Sequence, residues 1–227
     1  MTIISKFWGW PDGLAWKGLL ATGTRLRAQR FNWFMQRFAP SQETSVLDVG
    51  VTATSAGTSN FFAKNYPYFK MLTAVGIENK PEICDQLGIK FVQADGCNLP
   101  FSDNQFDIVH SNAVIEHVGD QARQAKFIYE LCRVAKRVYL STPNAESPLE
   151  THTLIPFAHW FPRKVCWTIY RLLGRSYYAD IDTLNLVSPE ILSSLFPVSL
   201  QEKVEIKIQY LAGIPAIITA WLDSADI

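Results

Sequence analysis

Between residues 46 and 143 short apolar runs alternate with segments of helical character, and this alternation constrains the fold more than any other feature. Val46-Leu47-Asp48-Val49-Gly50 reads as a strand that ends in glycine. Thr58–Tyr66 reads as a helix stopped before Pro67, and Leu72–Glu78 as the next strand. Pro81–Leu87 is a short helix with proline in its first turn, where the missing N–H costs nothing. Lys90–Ala94 and Phe106–Ser111 are further strands. Asp120–Arg133 reads as a helix with Ala122, Ala125, Ile128, Tyr129 and Cys132 on one face. Arg137–Ser141 is a strand ended by Thr142-Pro143-Asn144. Strands separated by helices pair in parallel, and right-handed crossovers leave few arrangements. The expectation is an α/β, doubly wound, Rossmann-like, mostly parallel sheet covered on both faces.

The flanks complete one domain over 1–227, with a helical lid in 1–45 and the core in 46–143. Residues 1–45 mix aromatic and basic side chains. Within them Thr24–Phe38 predicts a helix, because Leu26, Arg30, Phe34 and Phe38 recur every fourth residue, with Phe31 and Met35 beside them. Residues 144–227 open with a Pro-rich, His-bearing loop. Arg163–Leu173 predicts an amphipathic helix, and Ser188-Pro189-Glu190 opens another with serine as its cap. Val204–Leu211 and Ile214–Leu222 predict a late antiparallel strand pair at one edge of the sheet.

Composition excludes several classes. With 48% hydrophobic and 19% charged residues, the 227-residue chain is globular and needs neither disulfide nor metal to fold. Its 21 basic and 21 acidic residues cancel, which disfavours nucleic acid as a partner. The apolar stretch Leu211–Leu222 is interrupted by Gly213 and Pro215 and is too short for a bilayer span of about 20 residues. The start of the chain lacks the basic, apolar and small-residue order of a secretory signal. Cys84, Cys97, Cys132 and Cys166 have neither metal nor disulfide spacing, as expected of thiols in the reducing cytoplasm. Trp8, Trp10 and Trp16, with Lys6 and Lys17, suggest a weak contact with a membrane surface.

Ligands of open parallel sheets bind beyond the carboxyl ends of the strands. Here those ends carry Asp48-Val49-Gly50, then Glu78, then Ala94-Asp95-Gly96, then His110-Ser111-Asn112. Acids after three consecutive strands are poor core residues, because an unpaired buried carboxylate is costly. One ligand accounts for all of them. Glu78 can accept from both hydroxyls of a ribose and Asp95 from the exocyclic amine of an adenine, while Gly50 lets the backbone approach. A nicotinamide-dependent oxidoreductase fits less well, since a Gly-x-Gly-x-x-Gly turn does not follow the first strand.

VLDVG (46–50), AVGIE (74–78), FVQADGCNLPFSDNQFDIVHSNAVIEHV (91–118) and ELCRVAKRVYLSTPN (130–144) together resemble the class I S-adenosylmethionine-dependent methyltransferases. That resemblance implies a seven-stranded sheet with an antiparallel last strand. It implies that S-adenosyl-L-methionine binds and leaves as S-adenosyl-L-homocysteine after its methyl group passes to a small-molecule acceptor, at an oxygen or nitrogen of a metabolite or glycan-like compound. It implies Glu78 on the ribose, Asp95 beside the adenine, Asp48 and Gly50 near the methionine part, and Ser111 and Asn112 at the sulfonium, with Asn79 and Gly96 also among the cofactor-binding residues. The family's Gly-rich first loop is altered here to Gly50-Val51-Thr52-Ala53-Thr54-Ser55-Ala56-Gly57. Hydroxyls such as that of Thr52 then contact the cofactor, or the chain is a relative that keeps the fold as a binding or partner protein without catalysis.

Aligning acceptor, methyl and sulfur supplies most of what such a reaction needs, and a base assists. His110, His117, His152 and His159 are the chain's histidines. His152 is the leading candidate base and His117 the second, while His110 falls inside a central strand and is expected to be structural. Glu116-His117 is half of a Glu-x-x-Glu-His pattern with which some related methyltransferases hold a divalent ion, but Ala113 stands at the upstream glutamate position. No metal is therefore expected.

Overall fold

A computed structural model describes residues 14–54 and 57–223, with side chains from residue 22 onward. Trp8, Trp10 and the side chain of Trp16, the basis of the membrane-contact expectation, lie outside the described residues. Among the described residues no helix is long and apolar enough to cross a membrane.

Helix α1 (Leu14–Phe38) precedes strand β1 (Val46–Val49). Next come α2 (Phe61–Asn65), β2 (Leu72–Gly76), α3 (Glu82–Leu87), β3 (Lys90–Gln93), β4 (Phe106–Asn112), α4 (Gln121–Val134) and β5 (Ala135–Pro143). Helices α5 (Arg163–Leu172) and α6 (Pro189–Ser194) lead to β6 (Glu205–Leu211) and β7 (Ile214–Asp223). The seven strands form one sheet in the order β3-β2-β1-β4-β5-β7-β6. The first five are parallel, and β7 runs antiparallel to both β5 and β6. Strand order reverses between β1 and β4, so the crevice expected of this topology opens above those two strands.

Side chains alternate across the sheet and build a core on each face. Leu47, Val49 and Val109 join Phe127, Ile128 and Leu131 of α4 and Leu192 of α6 on one side. Val46, Ala74 and Ile108 join Phe34 and Phe38 of α1, Phe62 of α2 and Cys84 of α3 on the other. The predicted stripe of α1 is the packed one: Arg30, Phe34 and Phe38 are all buried. Phe34 meets Tyr139 of β5 and His110 of β4 edge-on. This half of α1 is thus a layer of the fold. A column of near-parallel rings, Phe62, His110, Tyr139 and Trp221, crosses the same face.

The buried face of α4 differs from the expected one. Gln124, Phe127, Ile128, Glu130, Leu131 and Val134 are inside, whereas Tyr129 is exposed. Two buried polar residues explain the difference. Glu130 accepts from the Leu99 N–H and from Arg133, and Gln124 donates to the carbonyls of Ile115 and Asn185. The Asp120 side chain caps α4 by accepting from the Arg123 N–H, and Ser188 caps α6 by accepting from the Ile191 N–H.

Candidate active site

The crevice begins at the turn after β1. Gly50 has φ 103°, and a Cβ there would stand 2.0 Å from Val114 Cγ2, so the turn requires glycine. The N–H groups of Gly50 and Val51 both donate to the Val75 carbonyl, which folds the turn back over β2. Asn60 shapes the next residues of the loop. Its Oδ1 accepts from the Thr52 N–H at 3.0 Å, and its Nδ2 donates to the carbonyls of Thr52 and Thr54 at 2.9 and 3.1 Å. The Thr52 hydroxyl, a candidate cofactor contact, lies within 3.3 Å of the Thr54 carbonyl.

Glu78 and Asp95 leave neighbouring strand ends in matched register, because Gly76 pairs with Gln93 and each acid lies two residues further on. Glu78 is exposed and Asp95 half-buried, and neither lines the two cavities described below. Glu78 Oε2 accepts from the Ala53 N–H at 2.8 Å, tying the end of β2 to the first loop. Asp95 Oδ1 accepts from the Cys97 N–H, and Oδ2 pairs with Arg123 at 3.1 Å. Partial burial pushes the Asp95 carboxyl up, but the Cys97 N–H and Arg123 outweigh it and hold the group below its ordinary range. Asn79 is exposed beside Glu78. Gly96 serves close packing: a Cβ there would come within 2.5 Å of the Phe127 ring.

At the floor, Asp48 is buried and its Oδ1 lies 2.7 Å from His110 Nδ1, whose ring stacks on Phe62 at 3.8 Å. His110 is thus a structural support of the cleft. Ser111 is fully buried and donates its hydroxyl to the Val49 carbonyl, which directs it into the β1–β4 joint. Asn112 faces the cleft, its Oδ1 accepting from Ser141 at 2.7 Å and from Arg30 at 3.2 Å. Arg30 also donates to Gln209 Oε1 at 2.6 Å. Its burial, together with the charge of Arg27, pushes its pKa down to about 10. An arginine within an apolar stripe was the signal in the sequence for a second role.

Two cavities adjoin here. The first, about 200 Å³, is lined by Arg27, Arg30, Asp48, Gly50, Asn60 and Asn112 among others. The second, about 330 Å³, is walled by Leu26, Leu149, Leu154, Leu211, Ile214 and Ile217. Arg27, Arg30, Thr58, Asn112 and Ala113 line both.

His152 lies on the wall of the second cavity. Its Nδ1 is 2.6 Å from Glu150 Oε1, and its Nε2 is 3.2 Å from His117 Nε2. Burial pulls the His152 pKa down, but Glu150 and Glu116 overcome it and the net direction is up. The two candidate catalytic histidines, 35 residues apart in sequence, therefore meet. His159 stands elsewhere, its Nε2 3.1 Å from the Ala145 carbonyl. Sequence reading missed Asn60, which looks like any polar residue before a helix, and Arg123, whose partner lies 28 residues earlier.

Comparison with known proteins agrees with this geometry. Residues 47–138 match the methyltransferase domain family model. A demethylmenaquinone methyltransferase from Roseiflexus sp. (strain RS-1) is 27% identical over 150 residues, 63% of this chain and 58% of that protein. The chain thus spans less than two thirds of that relative's length. Geranyl diphosphate C-methyltransferase from Streptomyces coelicolor A3(2) superposes with a TM-score of 0.58 at 11% identity, covering 95% of this chain and 86% of the other. Magnesium protoporphyrin IX methyltransferase from Synechocystis PCC 6803 gives 0.54 at 13% identity, covering 93% and 88%. Over the matched residues, strand order and crevice are similar to those of the class I S-adenosylmethionine-dependent methyltransferases.

Proposed function

We propose that this chain transfers the methyl group of S-adenosylmethionine to an oxygen or nitrogen of a small acceptor with a largely apolar body. The observation that carries the reading is the pair of adjoining cavities, one charged and one apolar, that share a wall at the carboxyl ends of β1 and β4. Arg27 and Arg30 suit the carboxylate of a methionine moiety, and Asp48 suits its ammonium. Glu78, with Oε2 on the Ala53 N–H, offers Oε1 to the ribose, and Asp95 offers its carboxylate to the adenine amine. The apolar walls of the second cavity suit a hydrocarbon-rich acceptor better than a glycan. The related proteins named above, which act on a demethylmenaquinone, a geranyl diphosphate and a porphyrin, support that preference.

In the reaction the acceptor attacks the methyl carbon in line with sulfur. The carbon–sulfur bond breaks with its electron pair going to sulfur, and the acceptor loses a proton. The chain aligns the reactants across the shared wall and screens them from water, effects that can contribute roughly 7–11 kcal/mol. The His117–His152 pair beside the acceptor cavity activates the acceptor's O–H or N–H. Asn60, which fixes the first loop without the family's glycines, supports a retained cofactor site over a fold kept only for binding a partner.

Two measurements test the reading. Calorimetry should show S-adenosylmethionine binding to the wild-type chain, weakened by about 1.5–3 kcal/mol in Glu78→Ala; no binding to the wild type overturns it. Across a panel of apolar phenols, quinols and amines, S-adenosylhomocysteine formation should fall at least tenfold in His152→Ala with cofactor affinity unchanged. Wild-type turnover in that variant would remove the histidine pair from the mechanism.

A further inference from the structure

Glu116 stands in the short turn after β4, fully buried. Its Oε2 accepts from the Thr142 hydroxyl at 3.0 Å, whereas its Oε1 has no hydrogen-bond partner among the described residues. A fully buried carboxylate oxygen without a partner is costly, and its surroundings show what it faces. Oε1 lies 3.9 Å from His117 Nε2 and 3.9 Å from His152 Nε2, which are 3.2 Å from each other. Three atoms so spaced share a point about 2.1 Å from each, within the range of zinc–nitrogen and zinc–carboxylate bonds.

The other ring nitrogens fix the tautomers. His117 Nδ1 is 2.6 Å from the Thr183 carbonyl, which only accepts. His152 Nδ1 is 2.6 Å from Glu150 Oε1, an oxygen that also accepts from the His152 N–H. Both Nδ1 atoms therefore carry a proton, and with the rings neutral both Nε2 lone pairs face each other and Glu116 Oε1. Three lone pairs converging on one point need a positive charge among them. Metal-ligating histidines are oriented in this way, with the second nitrogen on a carbonyl or carboxylate.

We propose that Glu116, His117 and His152 form a binding site for a divalent transition metal of the zinc type. Two imidazoles and one carboxylate are the donor set of such ions, whereas magnesium and calcium favour oxygen alone. The ligands come from two loops, and the upstream glutamate position is Ala113, so the site is not the Glu-x-x-Glu-His arrangement read in the sequence. His152 and Thr142 border the apolar cavity, so an open coordination position there can take an acceptor oxygen and ease loss of its proton. That catalytic role rests on the function proposed above; metal binding itself does not.

The test uses the full chain, stripped with a chelator and titrated with Zn2+ and Co2+, with Mg2+ as the comparison. One equivalent of Zn2+ should bind, and Co2+ should give the visible absorption of a low-coordinate site. Glu116→Gln and His117→Ala should each weaken Zn2+ binding at least 100-fold, and Glu150→Gln by about 10- to 100-fold. Circular dichroism and S-adenosylmethionine calorimetry on each variant establish that the fold and cofactor site persist. Absence of Zn2+ binding, equal binding in the variants, or preference for Mg2+ overturns the proposal, as does imidazole NMR showing a histidine pair that holds a proton and ignores added Zn2+. If Zn2+ binds while cofactor calorimetry is silent, the metal site stands and the methyl-transfer reading falls.

Discussion

Asn60 holds the loop of residues 50–54 with both ends of its side-chain amide. Hydrogen bonds of this kind contribute about 0.5–1.5 kcal/mol each. Asn60→Ala is expected to loosen the loop and weaken S-adenosylmethionine binding roughly tenfold by calorimetry, with little change in melting temperature. The residue also shows where sequence reading stops. The missing glycines of the first loop are visible in the sequence, but their replacement is not, because Asn60 acts through a left-handed backbone (φ 54°) that no pattern records. Glu78 and Asp95 were legible for the opposite reason: a strand end is a local signal, and a matched register brings two such ends together. The meeting of His117 with His152 depends on how the 144–185 segment folds back over β4, which no spacing encodes.

At the level of elements, α1 is secured by Phe34, which is completely buried against Phe62, His110 and Tyr139. Phe34→Ala should cost about 3–5 kcal/mol in chemical denaturation, because it leaves a cavity where α1 meets the sheet. The start of β1 is tied to β4 by Asp107, whose Oδ2 accepts from the Ser45 N–H and hydroxyl and whose Oδ1 pairs with Lys136. Partial burial raises the Asp107 carboxyl, but the Ser45 bonds and Lys136 prevail and lower it to about 2. The group titrates below the ordinary aspartate value near 3.9, so its stabilisation is complete above that pH and is lost as pH falls toward 2. Asp107→Asn should therefore be less stable than wild type at pH 6, by roughly 1–2 kcal/mol, and the gap should close between pH 4 and pH 2 in urea unfolding. The stripe of α1 was readable from its four-residue period. That of α4 was not, since apolar periodicity selects Tyr129 and Ala122 and overlooks Gln124 and Glu130, which are inside because backbone groups of other segments need them.

For the molecule as a whole, the alternation of strand and helix signals conveyed the doubly wound sheet, and the late pair of alternating segments conveyed its antiparallel edge. The insertion of β7 between β5 and β6 was beyond its reach, because pairing partners are chosen by the sheet and not by the segment. A ligand at 100 times its dissociation constant adds about 2.7 kcal/mol to stability. In a chain of this length that corresponds to a rise of roughly 5–10 °C in melting temperature, which a thermal-shift experiment with S-adenosylhomocysteine should record. In the proposed transfer the methyl group passes the five side chains that the two cavities share. Bulk placed at Thr58, for instance Thr58→Trp, would obstruct that doorway while sparing the far end of each chamber. Such a plugged variant is expected to retain donor and acceptor side by side, unreacted, giving crystallographers a stalled ternary complex in which the acceptor's identity can be seen directly.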